Sequence, residues 1–278
     1  MRRSRLTITL SERSLQLVDR LINGKTLRNR SHAIEYVIQQ YLQQKIRRAV
    51  ILTGGQGTKL RPYTYEVPKA LIPIKGKPLL EYTIESLKKS QIEEVVLCIR
   101  YLGDQIKKYF GDGSKYGIKI VYSEENSPLQ TGGALLQAKK LLPPEPFLLI
   151  HGDILTSLEY QDLIDFHQKE DSVVTVALTT TEKPGPFGQL KLHGTKLVHF
   201  YQKTQNQEVK SNLIHCGIYV CNFSLFDMFP KNKKVFRLED IIEKLIEQKQ
   251  VSGFVFEEQW FDVSDQKNYE LAIKQFRM

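Results

Sequence analysis

The sequence predicts an α/β protein, in which a mostly parallel β-sheet carries helices on both faces and follows a small β-α-α module. One observation is that apolar, strand-like runs alternate with amphipathic, helix-like segments from residue 47 onward, as they do in parallel sheets. Another is a glycine-rich loop directly after the first of these runs, where such sheets bind ligands. A third is charge, because residues 1–48 hold 11 Lys and Arg against 3 Asp and Glu in a chain of net charge +9. We therefore predict two domains, residues 1–46 and 47–278.

Composition places the chain among ordinary globular proteins. Of its 278 residues, 41% are hydrophobic and 26% are charged, which excludes a disordered or fibrous protein. No run approaches the roughly 18 consecutive apolar residues that a membrane span needs, and the basic start lacks the apolar stretch of a signal peptide. The three cysteines lie in apolar runs, which predicts buried thiols. The sequence thus predicts a soluble, cytoplasmic protein with no membrane partner.

The first module reads as a strand followed by two helices. Residues 5–10 alternate strictly between polar and apolar, which predicts a half-buried strand. Ser11 can cap a helix that ends at Asn23-Gly24, and a second amphipathic helix begins near residues 29–31. Fewer than fifty residues cannot bury a sufficient core alone, so the pattern indicates a partner chain.

Residues 3–44 resemble the ribbon-helix-helix family of DNA-binding dimers. The resemblance implies a homodimer whose two strands, one from each subunit, form a ribbon that enters the major groove of DNA. It implies that the outward side chains of the strand meet base edges and that the start of the second helix holds a phosphate. The implied base contacts are Arg5, Thr7 and Thr9, and the implied phosphate contacts are Asn29, Arg30 and Ser31. Dimerisation without DNA binding is the main alternative, and a module that does neither is the other.

In the second module, strands and helices alternate up to about residue 185 and then mix. The predicted strands are 47–53, 94–100, 118–123, 147–153 and 173–179, followed by short strands near 189–192, 196–202 and 213–221. The predicted helices are 78–89, 103–110, 132–141, 238–248 and 265–277. Ligands are expected at the carboxyl ends of the parallel strands.

The most informative segment is the loop of residues 52–62, Leu-Thr-Gly-Gly-Gln-Gly-Thr-Lys-Leu-Arg-Pro. Its glycines let backbone N–H groups approach a phosphate, and Lys59 and Arg61 add positive charge. A Walker A loop is excluded because Lys59 follows Thr58 rather than glycine. The dinucleotide pattern G-x-G-x-x-G is excluded because Leu60 stands at its last glycine.

Together with Pro68-Lys69-Ala-Leu-Ile-Pro73, this loop resembles the signature of nucleotide-sugar pyrophosphorylases, G-G-x-G-T-R-L-x-P-x-T followed by P-K-x-x-x-P. The resemblance covers about residues 47–275. It implies a Rossmann-like nucleotidyltransferase domain, in which a sugar 1-phosphate oxygen attacks the α-phosphorus of an NTP and releases pyrophosphate. Such a reaction needs positioning and charge stabilisation rather than a protein nucleophile.

The resemblance also implies a role for each matching residue. Two aspartates, Asp153 in His-Gly-Asp and Asp262 in Trp-Phe-Asp-Val, would hold Mg²⁺. Lys59 would hold the β- and γ-phosphates, Lys69 the α-phosphate and Lys203 the sugar phosphate. The implied nucleotide-binding residues are Leu52, Gly54, Gly55, Gly57, Thr58, Gln130, Gly132 and Gly133. The implied sugar-binding residues are Gly188, Gln202, His215 and Gly217.

The chain departs from the family pattern at four places. Lys59 replaces an arginine and loses its bidentate fork. The E-K-P motif reads Gln202-Lys203-Thr204, so an amide replaces the carboxylate that usually takes sugar hydroxyls. His215 replaces the usual asparagine before the sugar-side Cys216-Gly217, where Cys216 replaces an alanine, and the glycine after the second aspartate is replaced around Ser264. These changes lie mostly on the sugar side and leave the acceptor open.

Because both aspartates and two of the lysines are retained, the sequence favours an active enzyme. The loop Pro128-Leu-Gln-Thr-Gly-Gly-Ala134 is similar to those of mannose- and heptose-1-phosphate guanylyltransferases, which favours GTP. One alternative is a DNA-binding regulator whose nucleotidyltransferase-like domain senses a nucleotide or sugar phosphate without turnover. Another is a transferase for a non-sugar phosphate such as phosphocholine.

Overall fold

A computed structural model describes residues 7–42, 45–184, 187–201 and 209–277. The chain divides into two compact units, residues 1–45 and 46–278. No helix within the described residues is long and apolar enough to cross a membrane.

The first unit contains two helices, α1 (Glu12–Leu21) and α2 (Arg30–Leu42), as predicted. The hydroxyl of Ser11 caps α1 by accepting from the N–H of Ser14 at 3.2 Å. Asn23 closes the turn between the helices because its side-chain oxygen accepts from three consecutive backbone N–H groups, those of residues 25–27.

The predicted strand of residues 5–10 is not present in the described part of this segment. Arg5 lies outside the described residues, and Thr7 and Thr9 belong to a stretch without regular secondary structure. A strand needs a neighbour to receive its backbone hydrogen bonds, and a ribbon between two subunits cannot form in one chain. The ribbon-helix-helix interpretation therefore stays a prediction.

The second unit is built on a nine-stranded sheet with two smaller two-stranded sheets. The strands are β1 (Arg48–Leu52), β2 (Pro73–Ile74), β3 (Lys77–Pro78), β4 (Glu94–Ile99), β5 (Lys119–Glu124), β6 (Phe147–His151), β7 (Ile154–Thr156), β8 (Val174–Thr180), β9 (Gln189–His193), β10 (Lys196–Tyr201), β11 (Leu213–Cys221), β12 (Val251–Val255) and β13 (Trp260–Asp262). The helices are α3 (Leu79–Lys89), α4 (Gly103–Phe110), α5 (Gln130–Ala138), α6 (Tyr160–Lys169), α7 (Leu238–Glu247) and α8 (Gln266–Gln275). Of these, α6, β12 and the short strands β2, β3, β7 and β13 were not predicted.

The prediction of a mostly parallel sheet is correct only for its first half. The large sheet has the order β5-β4-β1-β6-β11-β8-β12-β10-β9. The first four strands are parallel, and so are β8 and β12, whereas β11, β10 and β9 pair antiparallel with their neighbours. Strands β9 and β10 are joined by the tight turn at Gly194, which has a φ of 61°; a tight turn can join only antiparallel strands. The sheet is therefore mixed.

Apolar side chains cover both faces of this sheet. In β1, Ala49 and Ile51 belong to one buried cluster and Val50 to the other, because successive side chains of a strand point to opposite faces. Cys216 and Cys221 divide in the same way, and both are buried free thiols, as predicted. Each fully buried Leu, Ile or Val contributes about 1.5–3 kcal/mol, so the two-sided core fixes the strand ends that carry the site.

The carboxyl ends of β1 and β6 meet closely. A Cβ on Gly152 would lie 2.9 Å from the carbonyl oxygen of Leu52 and 2.5 Å from Cγ2 of Thr53, so only glycine allows this approach. The backbone N–H of Val263 donates to the carbonyl of Asp153 at 2.8 Å, which holds the end of β13 beside β6. The glycine-rich loop and both predicted metal aspartates thus gather at one edge of the sheet.

Candidate active site

Two adjoining cavities open at this edge. We call the first, of about 300 Å³, the loop cavity; its lining includes Leu52, Gly54, Gly55, Arg100, Glu125 and Gln130. We call the second, of about 330 Å³, the aromatic cavity; its lining includes Lys59, Phe187, Gly188, Phe200, His215, Gly217, Arg237, Glu239, Trp260 and Asp262. Thr131, His151 and Asp153 line both cavities. The arrangement can hold two ligands that meet at Asp153.

Asp153 forms an ion pair with Lys69 at this junction. Nζ of Lys69 lies 2.9 Å from Oδ2 of Asp153, and their side chains are 16% and 28% exposed. Burial alone would raise the pKa of Asp153, but the charge of Lys69 and then that of His151 outweigh it, so that the pKa lies below its ordinary value. Asp153 is therefore ionised at neutral pH.

Asp262 lines the aromatic cavity together with Asp153. It pairs with Ile154 in the ladder between β13 and β7, which brings the two aspartates to neighbouring strand ends. No group of three or more His, Cys, Asp or Glu side chains within the described residues could hold a metal ion by protein ligands alone. Two carboxylates with room for phosphate oxygens are a donor set that fits Mg²⁺.

The three glycines of the loop after β1 differ in how closely other atoms pack against them. A Cβ on Gly57 would lie 2.8 Å from Cγ2 of Thr64, and the Thr64 hydroxyl donates to the Gly57 carbonyl at 2.7 Å. A Cβ on Gly54 would lie 2.8 Å from Oε1 of Glu125, whereas one on Gly55 would meet nothing within 4 Å. Gly54 and Gly57 thus allow close packing, and Gly55 leaves its backbone open toward the loop cavity.

Three of the predicted loop contacts lie elsewhere than expected. Gly57 and Thr58 are not among the residues that line either cavity, and Lys59 lines the aromatic cavity rather than the loop cavity. The 3₁₀ turn of Thr58–Leu60 begins after Gly57, which has a φ of 63°. The phosphate contacts of Gly57, Thr58 and Lys59 stay predictions.

The start of α5 also differs from the expectation. Gln130 and Thr131 line the loop cavity, but the N–H groups of Gly132 and Gly133 donate to the carbonyl of Phe236 at 3.0 and 3.2 Å. A Cβ on Gly132 would lie 2.4 Å from the Phe236 ring. These two glycines allow packing against the segment before α7, and their amides are already used, which differs from the predicted nucleotide contact.

Aromatic and polar side chains line the aromatic cavity together. The rings of Phe187 and Trp260 lie 5.4 Å apart, centroid to centroid, and those of Phe200 and His215 lie 6.0 Å apart. The indole N–H of Trp260 donates to the carbonyl of Cys216 at 3.0 Å, which fixes its ring. Apolar faces beside polar groups suit a sugar ring.

The predicted sugar-side glycines border this cavity. A Cβ on Gly188 would lie 2.4 Å from the Phe200 ring, and one on Gly217 would lie 3.0 Å from Nδ1 of His151. Gly217 also has a φ of 70°. Gln202 and Lys203 lie outside the described residues, so their predicted roles stay predictions.

Several cavity residues were missed by the sequence reasoning, above all Glu239 and Glu125. Glu239 is 12% exposed, and its carboxylate accepts from the Thr131 hydroxyl at 2.9 Å. Burial alone would raise the pKa of Glu239, but attraction to His151 and the hydrogen bonds from its own N–H and Thr131 lower it. In the sequence it looks like an ordinary acidic residue in the first turn of a helix, so no signal marked it.

Glu125 lies in the loop cavity near Arg100. Burial raises its pKa, and the backbone N–H of Leu129 and the charge of Arg100 oppose this only in part. A carboxylate inside a cavity at this position is suited to accept from paired N–H groups of a ligand. Glu125 follows β5 but belongs to none of the family motifs, so no signal in the sequence marked it.

Comparison with known proteins places this geometry in a family. The family model described as "Nucleotidyl transferase" matches residues 48–277. The chain is 31% identical over 229 residues to a D-glycero-alpha-D-manno-heptose 1-phosphate guanylyltransferase of Aneurinibacillus thermoaerophilus, covering 82% of this chain and 98% of that protein. It is 30% identical over 226 residues to the mannose-1-phosphate guanylyltransferase catalytic subunit beta of Drosophila pseudoobscura pseudoobscura, covering 80% of this chain. It spans only 60% of that second protein's length.

Solved structures share the fold. HddC from Yersinia pseudotuberculosis superposes with a TM-score of 0.69 at 24% identity, over 84% of this chain and 100% of that one. A UDP-glucose pyrophosphorylase complexed with UDP-glucose superposes with a TM-score of 0.71 at 19% identity, over 83% and 98% of the two chains. At these identities the likeness concerns the fold alone, which is the predicted α/β fold of a nucleotidyltransferase.

Proposed function

The chain belongs to the Nucleotidyl transferase family, and on that premise we propose that it transfers a guanylyl group from GTP to a sugar 1-phosphate and releases pyrophosphate. The observation that supports this most is the junction of two cavities at Asp153 and Lys69. A reaction between two anions needs both held side by side with positive charge where they meet. The likeness to two guanylyltransferases supports the choice of reaction.

The loop cavity would hold the nucleotide. Guanine presents two adjacent N–H donors on one edge, and the carboxylate of Glu125 can accept from both. The open backbone at Gly55 would meet the phosphates. This match to guanine, together with the resemblance of the loop 128–134 to guanylyltransferases, supports GTP over the other nucleotides.

The aromatic cavity would hold the sugar 1-phosphate. Its phosphate oxygen attacks the α-phosphorus of GTP, and the bond from that phosphorus to the leaving pyrophosphate breaks. Lys69 stabilises the charge that develops at the α-phosphate, and Lys59 attracts the phosphate groups in the aromatic cavity. Lys203 takes the sugar phosphate by the family resemblance. Asp153 and Asp262 would hold Mg²⁺, which when bound adds positive charge to the phosphate oxygens.

A pyrophosphate-release assay tests this function. The full chain is incubated with Mg²⁺, each of GTP, ATP, CTP, UTP and dTTP, and a panel of sugar 1-phosphates with phosphocholine as the non-sugar acceptor. We expect release only when GTP and a sugar 1-phosphate are both present. Silence across the panel while GTP still binds would favour a nucleotide sensor, and release with phosphocholine alone would favour the non-sugar acceptor.

For the first unit, we propose dimerisation with a second copy of this chain, and DNA binding by the dimer. Helix α1 has no buried residue, and Ile8, Leu10, Leu17, Val37 and Ile38 are exposed in the single chain. An apolar set of this kind in so small a unit is typical of a half-completed core. The basic excess of residues 1–48 suits the phosphates of DNA.

The polar contacts refine the DNA proposal. The guanidinium of Arg30 is held by the Asp19 carboxylate at 2.7 and 2.9 Å, and Asn29 accepts from the N–H of His32 at 3.0 Å. These side chains are therefore engaged, and a phosphate at the start of α2 would be held mainly by backbone N–H groups, including that of Ser31.

Two measurements test the first unit. Light scattering should show that the full chain is a dimer. The variant Leu17→Glu should be a monomer, whereas the exposed control Gln16→Glu should stay a dimer. A monomeric wild type would contradict dimerisation.

For DNA binding, fluorescence anisotropy of the full chain with labelled DNA should show salt-dependent binding. Arg5→Ala should lose both affinity and sequence preference, whereas Arg13→Ala should lose affinity alone. Equal effects of the two variants on every DNA would contradict base contacts by Arg5.

A further inference from the structure

We propose that Glu239 binds the hydroxyl groups of the acceptor sugar. The inference rests on the proposed function of the aromatic cavity. In this chain Gln202 stands where the family's E-K-P motif has the glutamate that usually binds sugar hydroxyls. The proposal assigns that binding to the carboxylate of Glu239 instead.

Glu239 has the position of a ligand-binding residue rather than of a surface acid. It stands in the first turn of α7 and lines the aromatic cavity. Its side chain is only 12% exposed, so its carboxylate does not lie in bulk water. A buried carboxylate is stable only with polar partners around it, and a sugar hydroxyl in the cavity would be one.

The hydrogen bonds of Glu239 orient its carboxylate but leave acceptor positions on the carboxylate oxygens. The hydroxyl of Thr131 donates to Oε2 of Glu239 at 2.9 Å and itself accepts from the N–H of Leu238 at 2.9 Å. The guanidinium Nε of Arg237 lies 3.7 Å from the same oxygen. An ionised carboxylate has about four acceptor positions, so capacity remains for ligand hydroxyls. Thr131 acts here as a positioning residue that ties Glu239 to the start of α5.

The aromatic side chains of the cavity indicate what kind of ligand fits. Phe187, Phe200 and Trp260 offer apolar ring surface, which suits the C–H face of a pyranose. A carboxylate can accept from two neighbouring hydroxyls at once.

A quaternary ammonium group also fits aromatic rings beside a carboxylate, so phosphocholine is the competing ligand. One contact disfavours it, because Arg237 already places positive charge beside Glu239. A guanidinium is a donor for sugar oxygens and a poor neighbour for a cation, so this observation favours the sugar.

The test compares Glu239→Gln with Glu247→Gln, which changes an exposed glutamate at the far end of the same helix. Kinetics use the full chain, GTP, the preferred sugar 1-phosphate and its deoxy analogues. We expect Glu239→Gln to raise KM for the sugar phosphate about 10-fold or more, the usual cost of one hydrogen bond to a charged group. KM for GTP should change less than about twofold, and Glu247→Gln should resemble the wild type.

Analogue discrimination separates sugar binding from a structural role. Wild type should disfavour the analogue that lacks a bound hydroxyl by about 10-fold or more, and this ratio should approach one in Glu239→Gln. Glu239→Asp, which keeps the charge, should retain part of the preference and serves as the second variant if Glu239→Gln does not fold. An unchanged ratio in both variants would overturn the proposal while leaving the enzyme intact. If the wild type transfers the nucleotide to phosphocholine but to none of the sugar 1-phosphates, this proposal and the proposed acceptor are both overturned.

Discussion

Lys69 and Asp153 meet at 2.9 Å across the junction of the two cavities, although 84 residues separate them in the sequence. Lys69 begins a short 3₁₀ turn after Pro68, and Asp153 follows β6 at the centre of the sheet. The pair joins a cation suited to the α-phosphate with a carboxylate suited to a metal ion. The charge of Lys69 helps to keep the pKa of Asp153 below its ordinary value.

Asp153→Asn should remove activity without unfolding the protein. The amide keeps the shape but cannot supply the negative charge that a hard cation needs, so we expect kcat to fall by about 10²- to 10³-fold or more. The melting temperature should stay close to that of the wild type. Asp227→Asn, at an exposed site outside both cavities, is the control; undiminished turnover in Asp153→Asn would refute the metal assignment.

Gly217→Ala should damage the site beyond its effect on stability. Gly217 has a φ of 70° and a Cβ there would lie 3.0 Å from Nδ1 of His151, whereas Gly194 has a φ of 61° and open space around it. Both alanine variants should lose about 1–2 kcal/mol of unfolding free energy from the left-handed backbone. Only Gly217→Ala displaces His151, so only its kcat/KM should fall, by about 10-fold or more. Equal kinetics of the two variants would mean that His151 does not need this close contact.

Gln130→Gly should weaken nucleotide binding and slightly relieve backbone strain. Gln130 has a φ of 62° and lines the loop cavity, while Gln91 has a φ of 61° at a turn outside both cavities. Glycine relieves about 1–2 kcal/mol of strain at either place, offset in part by about 0.5–1 kcal/mol of added chain entropy. Calorimetry with a non-hydrolysable GTP analogue should show weaker binding for Gln130→Gly alone. If both glycine variants bind GTP equally well, the Gln130 side chain has no role at the nucleotide.

His167 should make stability depend on pH. Its ring nitrogens contact the Thr175 hydroxyl at 2.8 Å and the side-chain oxygen of Asn222 at 3.2 Å. Burial lowers its pKa below the ordinary 6.5, opposed in part by the bond to Asn222. As pH falls below about 6.5, His167 binds a proton in the unfolded chain but not in the folded chain, so the unfolding free energy decreases. Above that pH the effect is absent.

Denaturant unfolding between pH 5 and 8 checks this sign. The difference in unfolding free energy between wild type and His167→Gln should grow as pH rises from 5 to about 7 and stay constant above it. The slope cannot exceed about 1.4 kcal/mol per pH unit for one proton. A pH-independent difference for His167→Gln would contradict the prediction.

The sequence predicted best what depends on local order along the chain. Strand β1, the loop after it and Asp153 at the end of β6 were found because apolar runs and glycines mark such places. The family resemblance then paired Asp153 with Asp262, which the structure places in the same cavity. The sequence could not show that the N–H groups of Gly132 and Gly133 donate to the carbonyl of Phe236, because that contact joins residues more than 100 positions apart.

Tertiary pairing explains the other differences. The mixed sheet arises where β11 inserts antiparallel between β6 and β8, and no local pattern encodes the direction of a distant neighbour. Glu239 stands outside the apolar stripe of α7, where an acidic residue in the first turn is ordinary. Only the folded chain brings it beside Thr131.

The most direct test of the central claim follows the α-phosphorus itself. GTP labelled at the α-phosphorus is incubated with Mg²⁺, the full chain and the preferred sugar 1-phosphate from the panel, and the products are separated. If the two cavities bring GTP and the sugar phosphate together at Asp153, the label appears in a GDP-sugar and none in pyrophosphate, and Asp153→Asn forms neither. Label that stays in GTP with every acceptor, or that appears as free GMP regardless of the sugar phosphate, would contradict the account.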